Sequence, residues 1–360
     1  MGTPSAMKPY LKLVGTGPNS NRNLTRAEAG AALGMIVDGV ATPAQAGAFL
    51  IGARVQGESS EELLGYLDAL HGRMTRVAPA VAGLVDVGAP YDGRSRTLAI
   101  GVAASVIAAA VEDPAGGAPQ LLHGSGPMPP KYGLDLGSIL EALGVPTRGD
   151  PSAAAALIER IGIAYLDARD FAPAIATLRE FRDEVGLRTV FSTIEKVYDP
   201  ARAPHHIVGM THAPYLERLT GAMQTQGWPR SLVVQGLEGS ADVPTGRASR
   251  LLIVTPEAVE ETRLTPASYG LRPARDEDLA CAPVAEAHAA GIRALLDGSD
   301  TSARRDALLL SAALRIWVVV GVGTSTAGIA EALALAEAAL QSGAAAARLS
   351  AWRAAGSSGG

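Results

Sequence analysis

Two arginines stand two positions apart in Asp92-Gly93-Arg94-Ser95-Arg96, a turn that leads into an apolar helical run. Guanidinium groups beside a helix N-terminus suit the clamping of a phosphate; a solvated turn is the plainer alternative. Met128-Pro129-Pro130-Lys131-Tyr132-Gly133 offers a lysine that either holds a phosphate or stays in water. His123-Gly124-Ser125-Gly126 brings an imidazole and a flexible backbone to a loop, where His123 either faces a ligand or satisfies a local hydrogen bond. Glu238 and Asp242 lie four apart in a Gly-rich segment. Oxygen ligands of that kind suit Mg²⁺ held chiefly by a substrate's phosphates, a surface acidic loop being the alternative. Arg182 and Arg188 are either anion contacts or helix-surface charges. His205, His206 and His212 have no Cys/His ligand framework and read as the entrance to a strand. Gly321-Val322-Gly323-Thr324 lacks the third Gly and the downstream acid of a dinucleotide loop.

The candidate loops fall between apolar strands and helices. Leu84 to Val87 reads as a short buried strand, followed by the turn-rich Gly88 to Arg96 and a helix through Ala103 to Val111. Gln120 to His123 is a second strand, running into the loop from Gly124 to Gly133 and a helix at Ser138 to Leu143. Further strands are expected at Ile207 to Met210, Ser231 to Gln235 and Arg250 to Val254, with helices after His288 and from Thr326 to Leu340. This alternation predicts an α/β fold with a mainly parallel sheet flanked by helices and ligand loops at strand ends. The first 75 residues read as short helices, the first capped at Asn23, the next opened by Thr42-Pro43, the third by Ser59 or Ser60. Helical character returns between Asp150 and Gly186, interrupted by the short apolar Ile163 to Leu166. A small helical domain is therefore expected from residues 1–75 and 148–187, an α/β domain from 76–147 and 188–352, and a flexible tail over 353–360.

Composition narrows the class. The chain has 360 residues, 48% of them apolar, which is too much apolar surface for a disordered protein. Cys281 is the only cysteine, so no disulfide framework forms within the chain. A net charge of -5 opposes bulk polyanion binding but leaves a local basic groove open. The longest apolar run, Leu98 to Val111, is shorter than the roughly 18 residues of a membrane span. Met1 to Leu13 lacks the apolar core of a signal peptide. A soluble cytoplasmic protein without membrane contact is the expectation.

Several segments, in order, carry a family resemblance. Leu24 to Ala29 and Thr42 to Leu50 look like opening helices of anthranilate phosphoribosyltransferases and their nucleoside-phosphorylase-like relatives. Leu140-Glu141-Ala142-Leu143-Gly144-Val145 is similar to that family's L-E-A-L-G-V, and Phe181 to Phe191 to its R-x-x-L-G-x-R-T-I-F. The stretch from Leu310-Ser311-Ala312-Ala313 to Gln341-Ser342-Gly343-Ala344 resembles its L-N-A-A … S-G-K-A close. The site motifs depart. The family's G-T-G-G-D loop for phosphoribosyl pyrophosphate (PRPP) is here Gly88-Ala89-Pro90-Tyr91-Asp92-Gly93, in which Pro90 removes an amide donor. Its N-x-S-T becomes Ala99-Ile100-Gly101-Val102, and its K-H-G-N-R becomes Leu122-His123-Gly124-Ser125-Gly126. Its metal-holding D-E pair falls at Ala241-Asp242, and Arg182 matches the arginine that meets the anthranilate carboxylate.

The resemblance implies a phosphoribosyltransferase-like α/β domain, a homodimer formed through the helical domain, and Mg²⁺. The altered loops resemble a divergent sister branch in which a basic loop appears, here Arg94, Arg96 and Lys131. The expected ligand set is Gly88, Asp92, Gly93, Arg94, Arg96, His123, Gly124, Lys131 and Arg182, with Asp242 and Glu238 for metal. Three functions follow from it. One is transfer of phosphoribose from PRPP to an unidentified nitrogen acceptor. A second is a non-catalytic nucleic-acid-binding protein on the same scaffold, and a third is nucleoside phosphorolysis.

Overall fold

A computed structural model describes residues 4–17, 19–112, 117–211 and 213–357. His212 and residues 358–360 of the expected tail lie outside the described residues.

Four helices open the chain: α1 (Lys8–Gly15), α2 (Arg26–Val37), α3 (Pro43–Gln56) and α4 (Ser60–His71). The last three each begin with a reciprocal capping box, Thr25 with Glu28, Thr42 with Gln45 and Ser59 with Glu62. Thr25 replaces the expected Asn23 as cap because Glu28 lies three residues on and can reach back to it. The chain then alternates: β1 (Val85–Gly88), α5 (Ile100–Ala110), β2 (Gln120–Gly124), α6 (Leu136–Leu143), α7 (Pro151–Ile161) and β3 (Ile163–Asp167). Short helices follow, α8 (Ala168–Phe171), α9 (Pro173–Ala176), α10 (Arg179–Val185) and α11 (Phe191–Ile194). Next come β4 (His205–Gly209), α12 (Ala213–Thr225), β5 (Arg230–Val234), β6 (Ser249–Val254) and β7 (Val259–Leu264). The chain closes with α13 (Ala285–Leu296), α14 (Ala303–Val320), α15 (Ile329–Gln341) and α16 (Ala344–Ser357).

The seven strands form one sheet in the order β3-β2-β1-β4-β5-β6-β7. The first five are parallel; β6 pairs antiparallel with β5, and β7 antiparallel with β6. Alternate residues feed two cores, as a period of two requires. Val85, Val87, Leu122, Ile207 and Leu232 join a core with α5 and α13 to α16, anchored by the fully buried Trp317 and Trp352. Leu121, Leu166, Val208, Val233 and Leu252 join the other with α2 to α4. β1 lies between β2 and β4, where the chain order reverses, and ligands of such sheets bind beyond the strand ends at that point.

Three expectations change. Ile163–Asp167 is β3, paired with β2, so residues 148–187 contribute to the sheet as well as to helices. β7 went unread because its residues Val259 to Glu261 are exposed and two of them are acidic, without the apolar alternation of a half-buried strand. Residues 353–357 continue α16, held by the buried Trp352, rather than forming a flexible tail.

Candidate functional site

The loop after β1 is laced to the loop after β2. Arg94 and Leu134 exchange backbone hydrogen bonds of 2.9 and 2.7 Å, and the Gly133 amide donates to the Asp92 carbonyl at 2.9 Å. Gly93 has φ +78°, and a Cβ there would collide with the Gly133 backbone, so close lacing requires glycine. Gly88 likewise faces the Lys196 carbonyl with no room for a Cβ.

Beyond this loop, successive backbone amides of Ser95, Arg96 and Thr97 converge on the carboxylate of Glu238 at 3.1, 3.0 and 2.8 Å. The Thr97 hydroxyl adds a bond at 2.8 Å and the Lys131 ammonium one at 3.1 Å. Three amides in a row are an anion nest. Burial opposes ionisation of Glu238, yet these donors hold its carboxyl well below the usual carboxylate range. Its backbone takes the left-handed conformation, φ +50°, uncommon for a residue with a side chain.

The other expected metal ligand, Asp242, is buried between Arg94 and Arg315. Arg94 also donates to the Ser240 hydroxyl at 2.5 Å and the Thr97 hydroxyl at 3.0 Å. Arg94 is therefore an interior ion-pair partner, in contrast to the solvent-facing clamp expected of it, because the partners that draw it inward lie about 150 residues further along the chain. It shares a small cavity of about 50 Å³ with Gly88, Gly93, Gly101, Asp242 and Arg315.

A larger cavity, about 490 Å³, opens beside it at the carboxyl ends of β1 and β4. Asp92, Arg96, Lys131 and Glu238 line it, joined by Arg54 from α3, Arg188, Lys196 and Tyr215 from α12. Five cationic side chains face two carboxylates, and each carboxylate is already paired. Asp92 accepts from Arg188 at 2.8 and 2.5 Å, and Glu238 from the nest. Arg96 is the most solvent-facing of the five, with a side chain 80% exposed. Lys196 is buried and donates to the Gly209 and Gly239 carbonyls at 2.7 and 2.9 Å; burial lowers its ammonium to about 8.

Three expected ligand residues, His123, Gly124 and Arg182, line neither cavity. His123 is wholly buried, one ring nitrogen 3.0 Å from Asp86 and the other 2.7 Å from the Tyr91 hydroxyl, so the local hydrogen-bond alternative describes it. Gly124 packs against Tyr165. Arg182 is buried 3.1 Å from Glu195, with its guanidinium over the Phe191 ring. Arg54 and Lys196 went unread because each is a lone cation in a helical stretch, with no motif around it.

Mg²⁺ does not fit the two carboxylates expected to hold it. Asp242 sits between two guanidinium groups, and Glu238 is saturated by N–H and O–H donors and an ammonium. Cations at those oxygens repel a further cation.

Comparison with known proteins places this geometry. Residues 8–74 match the glycosyl transferase family helical bundle domain, and residues 92–346 the family's a/b domain. An anthranilate phosphoribosyltransferase of Methylobacterium nodulans is 33% identical over 344 residues, covering 96% of this chain and 97% of its own. One from Acetivibrio thermocellus is 30% identical over 89% of this chain and 90% of its own. The crystal structure of anthranilate phosphoribosyltransferase from Thermus thermophilus superposes with a TM-score of 0.82 at 27% identity, covering 97% of this chain and 98% of its own. The Saccharomyces cerevisiae enzyme in complex with PRPP and Mg shares the fold at a TM-score of 0.84 and 17% identity, covering 99% of each chain. With an a/b-domain match over most of its length and relatives above 30% identity along nearly all of it, this chain belongs to the anthranilate phosphoribosyltransferase-like glycosyl transferase family.

Proposed function

We propose that this chain binds phosphoribosyl pyrophosphate and transfers its phosphoribosyl group to a nitrogen acceptor. The observation that carries this reading is the cavity at the ends of β1 and β4, where Arg54, Arg96, Lys131, Arg188 and Lys196 gather in a chain of net charge -5. Such a site recognises a compact polyanion. In the transfer, the bond from the anomeric carbon to the pyrophosphate oxygen breaks and its electron pair leaves with pyrophosphate. The acceptor nitrogen forms the new bond and gives up a proton. Cations fixed around the leaving group stabilise the charge it gains, and positioning supplies much of the remainder, so no covalent protein nucleophile is needed. The burial of Arg182 against Glu195 supports an acceptor other than anthranilate. Calorimetry of the whole chain with PRPP and Mg²⁺ tests the reading. Saturable binding and acceptor-dependent pyrophosphate release are expected; no binding of PRPP or ribose phosphate at millimolar concentration refutes it.

A second reading, single-stranded nucleic acid, is supported by the cavity rim. Tyr132 is 44% exposed, with the Arg179 guanidinium 5.5 Å from its ring centre, in the loop that also carries Lys131. Exposed aromatics beside cations stack bases. A salt-sensitive gel shift, lost in Arg96→Ala and Tyr132→Ala, is its signature, and no shift at low salt removes it. Arg94→Ala would be uninformative, since that residue is interior. We also propose a homodimer through the helical domain, supported by Val55 of α3, 82% exposed. Among the described residues no helix is long and apolar enough to cross a membrane.

A further inference from the structure

The geometry points to an oxyanion seat formed by the Ser95, Arg96 and Thr97 amides, the Thr97 hydroxyl and Lys131, which the chain occupies with its own Glu238 and which a phosphate or pyrophosphate group enters only by displacing that carboxylate. With the Ser95 hydroxyl adding a bond at 3.2 Å, six donors on one side chain exceed what a structural carboxylate needs, and their arrangement is that of a phosphate cradle. Consecutive amides point at one spot, the Ser95 and Thr97 hydroxyls flank them, and an ammonium closes the far side. Arg96 adds a longer-range contact, its Nε 3.8 Å from the same carboxylate. The seat opens onto the cationic cavity, since Ser95, Arg96, Lys131 and Glu238 all line it. Glu238 reaches the seat from a short turn, Leu237–Gly239, between β5 and β6, and holds a left-handed backbone conformation to do so. A carboxylate has one negative charge where a phosphate ester has up to two, so the internal occupant is the weaker anion of the pair. Glu238 thereby sets a threshold. Singly charged ligands leave the seat closed, and a ligand with a dense oxyanion trades places with it.

This inference concerns the loop used in the proposed transfer but does not require that the transfer occur. The test is calorimetric titration of the whole chain with inorganic pyrophosphate at low ionic strength. Glu238→Ala is expected to bind about tenfold or more tightly than the unaltered chain, the size of a charge-assisted contact set freed for the ligand. Formate should compete with pyrophosphate in the variant and not in the unaltered chain, because it refills the vacated carboxylate position. Adding Thr97→Val to Glu238→Ala should remove most of the gain. A folded Glu238→Ala, verified by circular dichroism, that binds pyrophosphate no more tightly overturns the inference. If that variant fails to fold, Glu238→Asp serves instead: it retains the charge but falls short of the nest by one methylene. A measurable gain in pyrophosphate affinity is expected there, and unchanged affinity again overturns it. PRPP turnover without any gain in either variant would sink this inference alone. A gain without PRPP binding would sink only the proposed transfer.

Discussion

At the scale of single residues, the decisive fact is which charges point inward. Asp242 is enclosed by Arg94 and Arg315. Removing it leaves two buried guanidinium groups without their counter-ion, so Asp242→Ala should destabilise the fold by about 3–5 kcal/mol. Urea denaturation checks this; a loss under about 1 kcal/mol would match a surface salt bridge instead. Lys196 carries a pH dependence. Burial lowers its folded value to about 8, whereas an unfolded lysine titrates near about 10.4. Between those values the unfolded chain holds a proton that the folded chain has shed, so this group makes stability rise with pH across that window. Over the same window the cavity loses a positive charge. Sulfate, whose own charge is constant there, should bind more weakly at pH 9 than at pH 7, and Lys196→Met should flatten that profile in calorimetry. Little of this inward-or-outward choice could be read from spacing. Arg94 and Arg96 stand two positions apart and are equivalent by sequence, yet one pairs with Asp242 and the other faces solvent. The partners that separate them come from another strand end, far along the chain.

At the scale of elements, sequence and structure agree where local chemistry is strong. Thr42-Pro43 and Ser59 with Glu62 mark helix starts because the capping box is written within four residues. Thr42→Ala and Ser59→Ala should each cost about 1 kcal/mol in chemical denaturation. Four of the five parallel strands, and the antiparallel β6, were legible as short apolar runs between turn-rich loops; β3 was not, because its short apolar run lies between helical stretches. β7 was not, since an exposed edge strand has no buried face to impose a pattern. Gly88 shows the same limit from the other side. The sequence marks it as a loop residue, but its importance comes from the Lys196 carbonyl pressed against it. Gly88→Ala should therefore push that carbonyl away and displace the Lys196 ammonium. Lower thermal stability together with weakened sulfate binding is expected, and a variant with both unchanged would contradict the packing described above.

At the scale of the whole molecule, the cavity joins two layers. Arg54 comes from α3 and Tyr215 from α12, on the helical side, while Asp92 and Glu238 follow strands of the sheet. A ligand that fills it ties the layers together, so amide exchange in residues 188–196 and at the end of α3 should slow when PRPP is added. Hydrogen-exchange mass spectrometry reads this directly; protection confined to the loops after β1 and β2 would argue against a bridging ligand. Light scattering should give the mass of two chains, and a monomer would remove the proposed dimer.

The two borders of the sheet bear on that assembly. β3 is buried along its length, with α7 packed against it, and β7 presents Glu260, Glu261 and Arg263 outward, Glu261 clasped by Arg250 of β6. The first border is covered, and at the second the charges along β7 oppose pairing of its free edge with another strand. Copies of this protein are thus steered away from strand-to-strand growth, the route to fibrous aggregates, and toward contacts between helices.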